Sequence, residues 1–384
     1  MEQINFTPDE LKRYERHFLL PEVGLQGQEK LKQGRILCVG LGGLGSPVAL
    51  YLAAAGIGSL GLLDDDWVDL SNLQRQIIYN TTELKEQKVV AASRALQKLN
   101  PHVELHLHKE RLKKENAFSL LEPYDIIVDA SDNFPTRYLI HDAAFFLKKP
   151  VVYGSLFQFE GYCTLFHPKE GGPCYRCLFP EPPDSIGILN CTQAGVLGVL
   201  PGIIGTLQAA ETLKWILKVG DSLQGRLLHV HALNMKFREF QLRQDPSCPL
   251  CGKEPTITKL TPIDQPSSPP TCSQQEVALL PSISVEELQT ILQGKKPIRL
   301  IDVRELLEYN ICHLPKAELI PLGVLPSKMT SLHRDEEIYL YCRSGGRSAQ
   351  ATEFLQRAGF SNVFNVEGGI LAWSERIDPF LPKY

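Results

Sequence analysis

The sequence predicts an α/β protein in two parts: a larger part built on a mixed, mostly parallel sheet, then a small α/β domain. Three observations carry this expectation. Apolar strand-like runs alternate with helix-like segments from Arg35 to Gly154. A glycine loop, VGLGGLGSP, joins the first run to the first helix. After a proline- and serine-rich gap, a second strand–helix rhythm begins at Ser284.

RILCVG reads as a buried strand, SPVALYLAAAG as a helix and SLGLLDDD as a second strand. Lys88 to Leu99 reads as a helix, HVELHLH as a strand, YDIIVDASD as a buried strand, Thr136 to Leu147 as a helix and PVVYG as a strand. Such alternation implies right-handed crossovers between parallel strands. GYCTLF, RLLHVHAL and KFREFQLR extend the sheet as later strands, making it mixed. The uncharged run Ser185 to Ala210 is interrupted by Asn190, Gln193 and Pro201, so it reads as a loop entering a buried helix rather than a membrane span. Prolines crowd the stretch 253–283, which reads as a linker. Ser284 with Glu287 forms a capping-box start for SVEELQTILQG. IRLIDVR, IYLYC and NVFNVEGG then read as strands, SAQATEFLQRAG and ILAWSERI as helices. The expected division is residues 1–252, a linker over 253–283, and residues 284–384.

The 384 residues are 43% hydrophobic and 22% charged, with net charge -4. That balance offers no electrostatic argument for nucleic acid or an anionic membrane. MEQINFTPDELKRYERH has no apolar signal core, which points to a cytoplasmic protein. In that setting the ten cysteines suggest metal ligation or thiol chemistry rather than a disulfide framework. Cys38, inside a strand run, reads as a small core residue.

Gly40, Gly42 and Gly45 match GxGxxG between a strand and a helix, where backbone can approach a phosphate. Asp64 ends the next strand run, placed for a ribose hydroxyl. The loop alone would suit NAD. Arg75 and Lys88 argue for a triphosphate instead, since two cations can neutralise charge on a transferring group. Asp132 and Asn133 end the run IIVDASDN at the carboxyl edge of the sheet, and an aspartate there can hold Mg²⁺.

RYERH, VGLGGLGSP, LLDDDWVDLSNLQRQ, SDN, PCYRC and CPLC, in this order over residues 10–252, resemble the MoeB/ThiF family of adenylating enzymes, relatives of the ubiquitin-activating enzymes. The resemblance implies a Rossmann-like ATP-binding adenylating domain. It implies that the C-terminal glycine of a ubiquitin-like sulfur carrier ending in Gly-Gly is adenylated, with pyrophosphate leaving. It places Gly43 in the phosphate loop, Asp64 at the ribose, Asn72, Arg75 and Lys88 near the phosphates, and Asp132 at Mg²⁺. Arg16 matches an arginine that reaches a neighbouring subunit's site, which implies a homodimer.

Cys174 with Cys177, and Cys248 with Cys251, form two CxxC pairs that together can fill a closed structural Zn²⁺ site. The competing reading is a redox dithiol, which wants a thioredoxin-like context. Cys191, among small and polar neighbours, is either a buried inert thiol or, as the resemblance implies, a thiol on a crossover loop that handles the acyl group.

Cys342 ends the run IYLYC, and Arg343-Ser344-Gly345-Gly346-Arg347 follows before a helix. Glycines there let backbone N–H groups converge into an anion nest, and two arginines add positive charge, which favours a thiolate or persulfide. A phosphatase, with a cysteine and a following arginine cradling an anion, is the alternative. LIDVRE, HLPKAELIPL, YCRSGGRS and VEGGILAW resemble a single-domain rhodanese over 284–384, which implies a persulfide on Cys342. Cys312 and Lys316 replace glycines usual in that family. The two halves resemble MoeB–rhodanese fusions, which make a protein thiocarboxylate for molybdopterin, thiamine, cysteine or tRNA-thiolation chemistry. Sulfur would come from a cysteine desulfurase or thiosulfate. A nicotinamide dehydrogenase, an inactive carrier-docking scaffold, and an activating enzyme with only a regulatory rhodanese domain are the competing readings.

Overall fold

The computed structural model describes residues 6–167, 171–182, 195–261, 280–294 and 298–382. The chain divides into two compact units, Met1–Pro270 and Thr271–Tyr384. No described helix is long and apolar enough to cross a membrane.

The first unit holds an eight-stranded sheet: β1 (Arg35–Val39), β2 (Ser59–Leu63), β3 (Glu104–His108), β4 (Ile126–Asp129), β5 (Val151–Phe157), β6 (Glu160–Phe166), β7 (Arg226–His231) and β8 (Lys236–Gln241). The order is β3-β2-β1-β4-β5-β6-β7-β8. β1 to β5 pair in parallel, and β6 to β8 add antiparallel, as the mixed extension predicted. β2 and β4, inside the parallel half, are buried throughout and leave no polar side, whereas the edge strand β3 is largely exposed. The chain runs from β1 toward β2 on one side, and β4 lies on the other. The sheet therefore switches direction between β1 and β4, which opens a crevice at their carboxyl ends.

Two helices frame that crevice. Helix Gly45–Ala55 follows β1 and ends at Gly56, whose φ of 78° closes it in the left-handed conformation. Helix Phe134–Phe146 follows β4, capped by Asn133, whose side chain accepts from the Thr136 N–H at 3.0 Å. β4 stops at Asp129, so Asp132 and Asn133 belong to a loop and a cap rather than to the strand end that the sequence suggested. The polar Ser131 turn ends the ladder: its N–H and hydroxyl fold back onto the Asp129 carboxylate at 3.0 and 2.6 Å. Three N-terminal helices, Pro8–Arg13, Glu15–Phe18 and Gly24–Gln33, were not legible from the strand–helix rhythm. Within the stretch read as linker, Leu260 is buried in the same apolar cluster as Leu112, Leu121 and Leu139.

The second unit carries a parallel five-stranded sheet: β9 (Ser282–Ile283), β10 (Arg299–Asp302), β11 (Glu318–Leu319), β12 (Ile338–Tyr341) and β13 (Val363–Val366), ordered β11-β10-β12-β13-β9. The predicted capping box at Ser284 and Glu287 opens helix Val285–Gln293. β12 is the central strand, and its carboxyl end delivers the chain to Cys342.

Candidate active sites and metal centre

In the first unit, the crevice between β1 and β4 is a cavity of about 330 Å³. Gly40, Gly42, Gly43, Asp64, Arg75, Lys88, Asp132 and Asn133 all line it. Gly40 has φ 91°, and a Cβ there would sit 2.7 Å from the Ala130 carbonyl oxygen. At Gly45 a Cβ would lie 2.0 Å from the Gly40 oxygen. Only glycine lets the loop after β1 press against the loop after β4 and the following helix.

The Asp64 carboxylate accepts the Leu41 N–H at 2.7 Å and the Asp66 N–H at 2.9 Å, bracing the glycine loop from below. Burial pushes its carboxyl up, opposed by the nearby Lys88 charge and by those N–H donors. The Tyr79 hydroxyl adds a second brace, donating to the Leu41 carbonyl at 2.9 Å. Lys88 opens helix Lys88–Leu99 and is only 5% exposed, yet its ammonium reaches the exposed Asp66 carboxylate at 2.8 Å. A buried stem with a forward-facing charge suits an ammonium that meets an anionic ligand. Arg75 donates to the Ser71 carbonyl at 3.0 Å and lines the same cavity.

Asp132 is exposed, with its Oδ1 3.3 Å from the Asn133 amide. Beneath it, the Asp129 carboxylate is wholly buried and accepts from Ser131 and from His141 Nε2 at 3.2 Å. Burial alone would raise that carboxyl, but the His141 and Ser131 hydrogen bonds and the Arg137 charge hold it below its usual range.

Three expected site residues stand apart from the cavity lining. Gly45 lies under the loop. Asn72 caps its own turn, its Oδ1 accepting the Asp69 N–H at 3.2 Å, and Arg16 is exposed on helix Glu15–Phe18. The lining also contains Arg111, Ser131, Thr136 and Arg137, which sequence reasoning missed. Their signal was faint: Arg111 and Ser131 follow strand ends, Thr136 and Arg137 lie in the first turn of helix Phe134–Phe146, and no glycine pattern marks any of them.

Cys174, Cys177, Cys248 and Cys251 converge. Their sulfurs all lie within 4.8 Å of one another, with Cys174 to Cys248 at 3.5 Å, Cys177 to Cys251 at 3.3 Å and Cys174 to Cys177 at 3.8 Å. A tetrahedral Zn²⁺ with sulfurs at about 2.3 Å spaces them by about 3.8 Å, so the four thiols fit that ion. The Asp245 N–H donates to Cys177 Sγ at 3.4 Å, an outer support typical of such centres. The two residues inside the first CxxC are both anchored. Tyr175 stacks on His141 with centroids 4.5 Å apart, and Arg176 donates to the Asp142 carboxylate at 2.7 to 3.2 Å. Cys191 lies outside the described residues.

In the second unit, Cys342 is 1% exposed at the base of its loop. Its sulfur accepts the Gly345 N–H at 3.2 Å and the Ser348 hydroxyl at 3.5 Å. Gly345, φ 95°, caps helix Gly346–Arg357, so the positive end of the helix faces the sulfur. Only four residues separate Cys342 from Arg347, one fewer than the phosphatase spacing requires. The Arg347 guanidinium is also engaged by Glu308. Lys316, standing where related domains have glycine, adopts φ 65°, a conformation that glycine holds without strain. Deeper down, Arg304 and Asp302 form a fully buried pair.

Comparison with known proteins bears on these sites. The model of the ThiF family matches residues 14–250, and the model of the rhodanese-like domain matches residues 284–376. A probable adenylyltransferase/sulfurtransferase MoeZ of Mycobacterium tuberculosis is 39% identical over 98% of this chain and 96% of its own length. A sulfur carrier protein adenylyltransferase of Thermus thermophilus is 49% identical over 67% of this chain and 96% of its own. Among solved structures, E. coli MccB with MccA-N7isoASN superposes with a TM-score of 0.56 at 20% identity, covering 65% of this chain and 76% of that one, and speaks for the fold.

Proposed function

The chain belongs to the ThiF family and carries a rhodanese-like domain, which makes it an adenylyltransferase and sulfurtransferase, and we propose that it converts the C-terminal glycine of a ubiquitin-like sulfur carrier into a thiocarboxylate. In this reading residues 1–252 adenylate, 253–283 tether, and 284–384 supply sulfur. The observation that carries it is one chain holding two matched sites: a cavity with Gly42, Gly43, Arg75, Lys88 and Asp132, and a thiol in a nest of N–H donors.

The carrier's carboxylate oxygen attacks the α-phosphorus of ATP, and pyrophosphate leaves. The loop glycines and Asp64 seat the nucleotide, while Arg75 and Lys88 neutralise charge on the departing phosphates. Asp132 would hold Mg²⁺, which shields the triphosphate when bound. Arg16 would complete the site of a second copy in a homodimer. The terminal sulfur of a Cys342 persulfide then attacks the acyl carbon and AMP leaves, giving an acyl disulfide. A second thiol, for which Cys191 is the candidate, attacks the Cys342 sulfur, which releases the thiocarboxylate and leaves a disulfide on Cys342 that an added thiol reductant must reduce before the next turnover. Tethering keeps the sulfur donor at high local concentration.

The test combines two readouts on the full chain. Pyrophosphate should exchange into ATP only when a carrier ending in Gly-Gly is present. With a sulfur source added, mass spectrometry should find one oxygen replaced by sulfur at the carrier's C-terminus. Absence of exchange with every such carrier would defeat the adenylation step. Adenylation without any thiocarboxylate would favour a rhodanese domain of regulatory kind.

The four-cysteine centre is assigned a structural Zn²⁺. Stripping it with a strong chelator should lower the unfolding midpoint of the first unit by about 10 °C or more, with the second unit's transition unmoved. Calorimetry with metal analysis reads both, and an unshifted midpoint after metal loss would refute the structural role.

A further inference from the structure

Arg347, in the first turn of helix Gly346–Arg357, pairs with a carboxylate. Its two terminal nitrogens donate to the two oxygens of Glu308 at 2.7 and 2.6 Å, a bidentate pair of fixed geometry. The partners are 12% and 20% exposed, so solvent and salt screen them weakly. Glu308 sits on helix Leu306–Ile311 and also accepts the Glu305 N–H at 3.0 Å, which fixes its position independently of the arginine. Burial pushes its carboxyl up, but Arg347 and the Glu305 N–H bring it below the usual range, so it is an anion at neutral pH. The loop that cradles Cys342 thus has a negative charge paired with Arg347.

That charge weighs differently on different sulfur donors. Thiosulfate is a compact dianion, and its binding depends on positive charge that is not already matched. A persulfide on a protein or small thiol brings one charge at the reacting sulfur. In either case the Cys342 thiolate attacks the outer sulfur and the old sulfur–sulfur bond breaks. Sulfite leaves from thiosulfate, a thiolate leaves from a persulfide, and no external oxidant is required. We propose that Glu308 is a specificity-determining residue that biases loading of Cys342 toward thiol-bound persulfide and against thiosulfate. The inference rests on Cys342 being the sulfur-accepting thiol.

The experiment uses the full chain. Thiosulfate kinetics are read with cyanide as acceptor, and Cys342 persulfidation is read separately with a cysteine desulfurase and cysteine. Glu308→Gln keeps an oxygen for the Glu305 N–H but removes the charge. Its KM for thiosulfate should fall about fivefold to tenfold at low ionic strength, and the gain should shrink in about 0.5 M salt. Its kcat and its desulfurase-fed loading should stay within about twofold of wild type. Glu308→Ala should move KM the same way. Adding Arg347→Ala to Glu308→Gln should return KM to the wild-type value or above. An unchanged or higher KM in both single variants, with desulfurase-fed loading intact, would make the pair a brace and overturn the proposal. Equal loss with both donors would do the same. If wild-type Cys342 took sulfur from neither source, the sulfur-acceptor assignment itself would fall, which is a separate result.

Discussion

Replacing Lys88 by methionine should lower carrier-dependent pyrophosphate exchange about 10²- to 10³-fold, the loss typical of one preorganised charge aimed at a transferring phosphate. Methionine keeps most of the buried stem. The Asp66 carboxylate left behind is 70% exposed, so water solvates it, whereas the Asp64 carboxyl loses the charge that opposes its desolvation and keeps only its N–H donors. The unfolding midpoint should therefore fall modestly, by a few degrees, and thiosulfate sulfurtransferase activity, which belongs to the other unit, should be unaffected. Steady-state exchange with ATP varied would show the loss mainly in kcat if Lys88 acts on the transition state. A loss confined to KM for ATP would reassign Lys88 to ground-state binding.

Cys342→Ala should reduce sulfur transfer to the rate seen without protein while leaving pyrophosphate exchange within about twofold. The side chain is almost fully enclosed, and its sulfur is the acceptor for the Gly345 N–H and the Ser348 hydroxyl. Alanine removes the acceptor and leaves a small gap, so a modest fall in the second unit's stability should accompany the chemical loss. Intact-mass analysis after exposure to a sulfur donor should show no 32-Da adduct on this variant, a check that follows from the mass of one sulfur atom. Persistence of the adduct would place the accepting thiol elsewhere.

Much of the fold could be read from local patterns. Helix Lys88–Leu99 has the bounds that its periodicity suggested, and the Ser284–Glu287 box marks where order resumes. Two glycines declare their purpose in sequence because a loop after a strand has few uses for them. What stayed hidden depends on partners brought together by topology. The sequence shows Arg347 as free positive charge, whereas folding places Glu308, 39 residues earlier, against it. Asp132 seemed to end a strand because IIVDASDN has no breaker, yet Ser131 turns back onto Asp129 and ends pairing early. CxxC spacing announces sulfurs and says nothing of Tyr175 and Arg176, whose contacts lie 34 residues away in the chain.

Those two spacer residues bear on how the centre could be altered. Helix Phe134–Phe146 starts at the cap beside Asp132, and two turns on it presents His141 and Asp142 to Tyr175 and Arg176. The same rod thus has one tip at the glycine-loop cavity and its flank clasped by the cysteine knuckle. Transplanting a generic knuckle with other spacer residues would keep four sulfurs and lose the contacts to His141 and Asp142, so the sulfurs and their two passengers must be inherited as one piece.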